Sequence, residues 1–142
     1  MRHALITGGS RGIGAAAVRA FTAAGYAVSF FYEKNDAAAA AVSAETGAEA
    51  VRCDVADAQA VLDAVSCLPE TDVLVNNAGE QTPAESILDL TQEQLVRTFQ
   101  TNIFSMFYLV KAALPHLPEG GAIVNTTSVT AYQGSPNPLD YS

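Results

Sequence analysis

The residues best suited to chemistry in this sequence are a spaced set of glycines, a pair of asparagines and three separate polar side chains. Ala4-Leu5-Ile6-Thr7 is an apolar run of strand length, followed directly by Gly8-Gly9-Ser10-Arg11-Gly12-Ile13-Gly14. A strand, a tight glycine turn and a helix start gather several free backbone N–H groups around one point, and the helix dipole adds partial positive charge there. Such a point suits a phosphate. Glycines at 8, 12 and 14 allow a sharp turn, a close backbone approach to an anion, and near packing of helix on strand. The spacing is Gly-x3-Gly-x-Gly, not the Gly-x-Gly-x-x-Gly of the commonest dinucleotide fingerprint. With a strand before the turn and a helix after it, pyrophosphate binding is favoured over a plain turn.

The other polar residues are less informative singly. Asn102 falls on the apolar stripe of a helical stretch, where its amide must find partners or lose about 1–3 kcal/mol; a structural bond to a neighbouring loop would satisfy it. Ser128 ends a strand and is placed to present a hydroxyl, or is a plain loop serine. Tyr141, alone, is an exposed tyrosine. Asn76-Asn77-Ala78-Gly79 is a polar, small cluster directly after an apolar run.

These residues need a frame, and the hydrophobic pattern supplies one. Ile13, Ala16, Ala17, Ala20, Phe21 and Ala24 recur at helical spacing and predict one buried face, stopped by Gly25. Tyr26–Tyr32 reads as a second strand. Asn35 or Asp36 caps a helix through Ala37–Ala41 that ends at Gly47. Glu49–Cys53 is a third strand. Asp57 caps a helix with Ala58, Val61, Leu62, Val65 and Leu68 on one face. Asp72–Val75 is a fourth strand. Thr91-x-x-Gln94 is a capping box for a long helix whose apolar stripe is Leu95, Phe99, Ile103, Met106, Phe107, Val110 and Leu114. Ala122–Thr127 is a fifth strand, and Ser128–Ser142 reads as loop.

Strand and helix alternate with short connections, which predicts an α/β fold: a parallel sheet with helices on both faces. Right-handed crossovers favour a doubly wound, Rossmann-like sheet in order 3-2-1-4-5. The polar clusters then fall beyond the carboxyl ends of the strands, where such sheets bind ligands.

The bulk numbers agree with one domain over residues 1–142. Apolar residues are 49% and charged residues 15% of the chain, as in a globular protein. A formal charge of -8 argues against nucleic acid and anionic membranes as partners. Cys53 and Cys67 lack metal-ligand spacing and read as buried free thiols, so no metal is expected. With no signal-peptide layout and no membrane-length apolar run, a cytoplasmic location is expected.

Taken together, Thr7-Gly8-x3-Gly12-x-Gly14, Asn76-Asn77-Ala78-Gly79, Asn102, Ser128 and Tyr141 resemble the signature set of the short-chain dehydrogenase/reductase family. The thirteen-residue interval from Ser128 to Tyr141 matches as well. In wording, residues 127–142 look like the 3-oxoacyl-carrier-protein-reductase-like and stress-related members. The resemblance implies hydride transfer between a nicotinamide dinucleotide and a carbonyl or alcohol substrate. It places the cofactor over Gly8, Ser10, Arg11, Gly12, Ile13 and Gly14, the adenine against Asp54 and Val55, and the cofactor's path along Asn77, Ala78 and Gly79. It implies that Ser128 holds the substrate oxygen, that Tyr141 passes the proton and that Asn102 holds a water in the relay. A homo-oligomer is expected separately, through the side of the sheet that these residues leave uncovered.

Charge addresses the choice of cofactor. An acid at the end of the second strand would bond the ribose hydroxyls of NAD and repel a 2′-phosphate. That place reads as Tyr32, with Glu33 and Lys34 after it, and Arg11 is able to pair with a 2′-phosphate. NADP is therefore expected, and NAD remains open if the strand ends one residue later. The family also places a lysine four residues after its tyrosine, beyond Ser142. Weak or no turnover is expected of these 142 residues alone, together with an uncovered edge on strand five and self-association through it. The alternative reading is a non-catalytic dinucleotide-binding or assembly module.

Overall fold

The computed structural model describes residues 1–136, 140 and 141. Five strands, β1 (His3–Thr7), β2 (Ala27–Tyr32), β3 (Glu49–Arg52), β4 (Val73–Asn76) and β5 (Ala122–Asn125), form one sheet. Its order is β3-β2-β1-β4-β5 and every pairing is parallel, as the alternation predicts. The central strand β1 is buried along its whole length. Successive side chains on a strand point to opposite faces. Ala4 and Ile6 accordingly join one core with Val18, Phe30, Ala39 and Val42. Leu5 joins a second core with Phe31, Val61, Val65, Leu74 and Leu109. Each of the larger buried side chains contributes about 1.5–3 kcal/mol, and the alanines less.

Helices α1 (Gly12–Ala23) and α2 (Asp36–Thr46) supply the first core. Helix α3 (Ala58–Ser66) supplies the second, with α5 (Ser105–Ala113) beside it. The capping residues are those expected for α2 and α3. The Asn35 side chain accepts from Ala38 N–H, Asp57 accepts from Gln59 and Ala60 N–H, and Gly47 ends α2 with φ +74°.

Several readings of the sequence need correction. On α1 the buried residues are Gly14, Ala15 and Val18, while Ile13 is 71% exposed and Ala16, Ala20 and Ala24 also face outward. Ala17 and Phe21 of the predicted stripe do pack against the first core. Alanine is apolar enough to mimic a core stripe and small enough to sit outside one, so the rest of the periodicity pointed to the wrong side. The long helix is not continuous. It runs as α4 (Gln92–Phe99), a π-helical turn at Gln100–Phe104, and α5. Its supposed core stripe is largely uncovered, with Leu95, Phe99, Ile103, Phe107 and Leu114 exposed. Lastly, the segment after β5 holds a short helix, α6 (Thr130–Gln133), within what read as loop. Cys53 is buried as expected, but Cys67 is exposed at the end of α3.

Thr91 caps α4 by accepting from Gln94 N–H at 3.1 Å. The reciprocal half of the box is not made, because the Gln94 amide donates instead to the Thr82 carbonyl at 2.8 Å. That bond ties α4 to the loop after β4.

Candidate functional site

The turn after β1 is built by close contacts that only glycine permits. Gly8 has φ +68° and Gly12 φ +53°, both in the left-handed region. A Cβ on Gly14 would meet the Gly8 carbonyl oxygen at 2.0 Å, and one on Gly9 would meet Phe30 at 2.5 Å. Gly14 therefore serves the packing of α1 on the turn. The N-terminus of α1 differs from its neighbours in chemistry as well. No side chain caps it, whereas Asn35, Asp57 and Thr91 cap α2, α3 and α4. The four first-turn N–H groups of a helix need partners, and here the helix end opens on a cleft.

Thr7, the last residue of β1, fastens that turn to the loop after β4. Its hydroxyl oxygen accepts from Asn77 N–H at 3.0 Å and Ala78 N–H at 2.9 Å. The Asn77 amide donates back to the Thr7 carbonyl at 3.2 Å, and its oxygen accepts from the Thr126 hydroxyl at 3.2 Å. Alongside, Asn76 donates to Asn125 across β4 and β5 at 2.9 Å. The ends of three adjacent strands are thus held at one level.

The cleft above them has a volume of about 680 Å³. Gly8, Ser10, Arg11, Gly12, Ile13, Tyr32, Asp54, Val55, Asn77, Ala78 and Gly79 all line it. Of the residues expected around a cofactor only Gly14 does not, being buried behind the turn. The exposure of Ile13 is now explained, since it forms part of the mouth. Tyr141 lines the same cleft and also a smaller cavity with Asn102, Thr98 and Asp140. Asp140 accepts from the Thr98 hydroxyl at 2.5 Å, anchoring the residue before Tyr141 to α4. Ser128 is half-buried just past β5 and does not line the cleft. Its hydroxyl oxygen accepts from the Thr130 hydroxyl at 3.1 Å, at the start of α6. Asn102 lies inside the π turn and bonds both backbone groups of Glu80.

The sequence reading missed an ionic cluster at one side of the cleft. Arg97, in the last turn of α4, bonds Asp54 through two nitrogens at 2.9 and 3.2 Å, Glu33 at 3.1 Å and Glu80 at 2.8 Å. Burial works against the Asp54 carboxylate, but Arg97 and the Ala56 N–H outweigh it and hold the acid below its ordinary value. Bonding to Asp54 in turn raises Arg97 above its usual range, against the opposing effect of burial. Arg97 carried no signal of this in the sequence. A basic residue in the last turn of an amphipathic helix reads as solvated charge, and only the docking of α4 brings it over three strand ends. Cys53 lines the cleft too, but burial, helped by the Asp54 and Asp57 charges, pushes its thiol up to about 11. It is not a nucleophile at neutral pH.

Residues 2–142 match the short chain dehydrogenase family. The chain belongs to that family. It is 49% identical to "Uncharacterized oxidoreductase YhdF" of Bacillus subtilis (strain 168), over 98% of this chain and 51% of that protein. It is 40% identical to "NADPH-dependent aldehyde reductase 1, chloroplastic" of Arabidopsis thaliana, over 98% of this chain and 54% of that one. A crystal structure of BdcA in complex with NADPH superposes with a TM-score of 0.88 at 41% identity, covering 92% of this chain and 53% of BdcA. The chain spans about half the length of the curated relatives it matches. Among the described residues no helix is long and apolar enough to cross a membrane, and no His, Cys, Asp and Glu cluster suits a metal ion.

Proposed function

We propose that these residues form the cofactor-binding part of an NADP-dependent oxidoreductase that moves hydride between nicotinamide and a carbonyl or alcohol. The observation that carries this reading is the uncapped N-terminus of α1 opening on a cleft lined by the turn Gly8–Ile13. A diphosphate fits there because the first-turn N–H groups lack a competing side chain and the left-handed Gly12 has open space around it. Two proteins similar to the chain, the Arabidopsis reductase and BdcA, carry NADPH in their names or crystals.

Gly8, Ser10, Gly12 and Ile13 would hold the diphosphate, with Gly14 keeping the helix end close. Asp54 and Val55 would lie against the adenine, and Asn77, Ala78 and Gly79 along the nicotinamide half. When bound, the dinucleotide supplies or accepts the hydride. The chain's own residues must place the substrate oxygen and move a proton to or from it. Tyr141, facing the cleft, is the group for the proton. Ser128 would orient the oxygen, once its hydroxyl turns from Thr130. Asn102, beside Tyr141 in the smaller cavity, would support the relay.

NADP is preferred to NAD because β2 ends at Tyr32 and Glu33 is already engaged by Arg97. Arg11, exposed at the mouth, forms no ion pair among the described residues and is available to a 2′-phosphate. Titration of the protein with NADPH and NADH tests the reading. NADPH should bind at least tenfold more tightly, and an Arg11→Ala variant should lose most of that difference. Equal affinities in the parent protein would refute it. The exposed apolar face of α4 and α5 supports a homo-oligomer as the assembled form.

A further inference from the structure

We propose that Arg97 sets the cofactor preference of the cleft by offsetting the carboxylates of Glu33 and Asp54, so that a 2′-phosphate is not repelled from the end of β2. The inference rests on the dinucleotide reading above and adds a residue that lies on no strand end and in no glycine turn.

The geometry supports it at each point. Glu33 is the first residue past β2, one place beyond Tyr32, where an acid in this kind of sheet would bond a ribose 2′-hydroxyl and exclude a 2′-phosphate. Glu33 lines the cleft, so a free carboxylate there would still oppose a 2′-phosphate. In the structure one of its oxygens takes Arg97 at 3.1 Å and Lys34 at 3.7 Å. Asp54, two residues past β3, takes the Nη1–Nη2 edge of the same guanidinium at 2.9 and 3.2 Å, sharing Nη2 with Glu33. Lys34 is 81% exposed at its side chain, and so screened by water, whereas Arg97 is 35% exposed. Arg97 is therefore the cation that matters for Glu33. The planar fork makes four bonds to three acids, one more than the three donors of a lysine allow. Glu80 on its Nε at 2.8 Å, itself accepting from Thr101 at 3.0 Å, fixes the guanidinium in that orientation. Without Arg97, Glu33, Asp54 and Glu80 would share one rim of the cleft with the exposed Lys34 and with Arg52, whose Nε is held on the Glu33 carbonyl at 3.0 Å and whose Nη1 faces Asp36, and Glu33 would be released toward the ribose.

Arg97 is a positioning residue in this account, since it acts through Glu33. The test is the ratio of NADPH to NADH affinity, measured by titration calorimetry on the full polypeptide that carries these residues. Arg97→Gln should lower that ratio at least tenfold, and adding Glu33→Gln to it should restore the ratio to within threefold of the parent. If both affinities fall together and Glu33→Gln restores nothing, Arg97 only braces the loops and the proposal is wrong. Should Arg97→Gln fail to fold, Glu33→Gln alone decides. With Arg97 occupying the acid, NADH affinity should change less than threefold, and a loss of tenfold or more would overturn the proposal. A parent protein that binds neither dinucleotide, or prefers NADH, would instead remove the reading on which this one stands.

Discussion

Asn102 grips the backbone of Glu80 from both sides, accepting its N–H on Oδ1 at 2.7 Å and donating Nδ2 to its carbonyl at 2.7 Å. The amide sits in the π turn that separates α4 from α5, and such turns occur often at functional sites. Its partner follows the Asn77–Gly79 wall of the cleft. Replacing Asn102 by Ala leaves both backbone groups of Glu80 without that partner, and should cost about 1–3 kcal/mol. Asn102→Asp keeps the acceptor but loses the donor, and should fall between. Urea denaturation reads the stability, and limited proteolysis after Glu80 should report a loosened loop in both variants.

Gly14 and Gly12 separate two uses of glycine that the sequence pattern merges. At Gly14 a methyl group would lie 2.0 Å from the Gly8 carbonyl oxygen and 2.7 Å from the Asn77 amide. Gly14→Ala must push α1 off the turn, costing about 1–3 kcal/mol or more and distorting the cradle. Gly12→Ala meets open space, and its cost is the left-handed backbone alone, about 1–2 kcal/mol. Dinucleotide affinity should fall more for Gly14→Ala than for Gly12→Ala, although Gly12 lines the cleft and Gly14 does not. Equal losses would mean that α1 yields without disturbing the turn.

The sheet order was readable because strand and helix alternate with distinct apolar runs, and parallel crossovers have one hand. The glycine turn and the loop after β4 were readable because both are local, each lying directly after a strand. What escaped depends on distant packing. The Arg97 cluster joins residues 43 to 64 positions apart at its Asp54 and Glu33 contacts, and nothing near Arg97 marks its partners. The face of α1 escaped in part because five alanines and one isoleucine satisfy two helical stripes equally well. The apolar stripe of the long helix was found, but spacing shows that a face is apolar, not that anything covers it.

A chain of polar groups, buried at His3, Ser29 and Thr71, crosses the other end of the sheet and should make stability depend on pH. His3 bonds Ser29 at 3.0 Å and Thr71 at 3.3 Å through its two ring nitrogens, and Ser29 donates on to Glu49 at 2.9 Å. Since Ser29 donates to Glu49, its oxygen is free to accept from His3 Nε2–H, while Nδ1 faces the Thr71 hydroxyl, which also reaches the Pro69 carbonyl at 3.4 Å. Burial lowers the His3 pKa, against the opposing charges of Glu49 and Asp72. The folded protein therefore binds this proton less readily than the unfolded chain does. The contribution is full above the unfolded value of 6.5 and is lost as pH falls through the folded one. Urea midpoints should drop from pH 7.5 to pH 5, and a His3→Gln variant should flatten that slope. An unchanged slope would place the pH dependence elsewhere.

The uncovered side of the sheet leads to a prediction about assembly. β5 pairs only with β4 among the described strands, and all four of its residues are exposed. Its outer edge offers unpaired N–H and C=O groups to another strand. On the α4–α5 stretch, Phe107 is 71% exposed, with Phe99, Ile103 and Phe104 also in solvent. Either surface favours two-fold pairing, since the same patch then serves both partners. Light scattering on the 142-residue chain should show a dimer or larger species at high concentration. Phe107→Asp weakens the apolar part and Val124→Lys the edge. If association runs through strand pairing, Val124→Lys should be the more damaging, because a charge must be accommodated beside its own copy. If the helix face dominates, Phe107→Asp alone should yield the monomer. A parent chain that stays monomeric at high concentration would show that neither surface seeks its own copy.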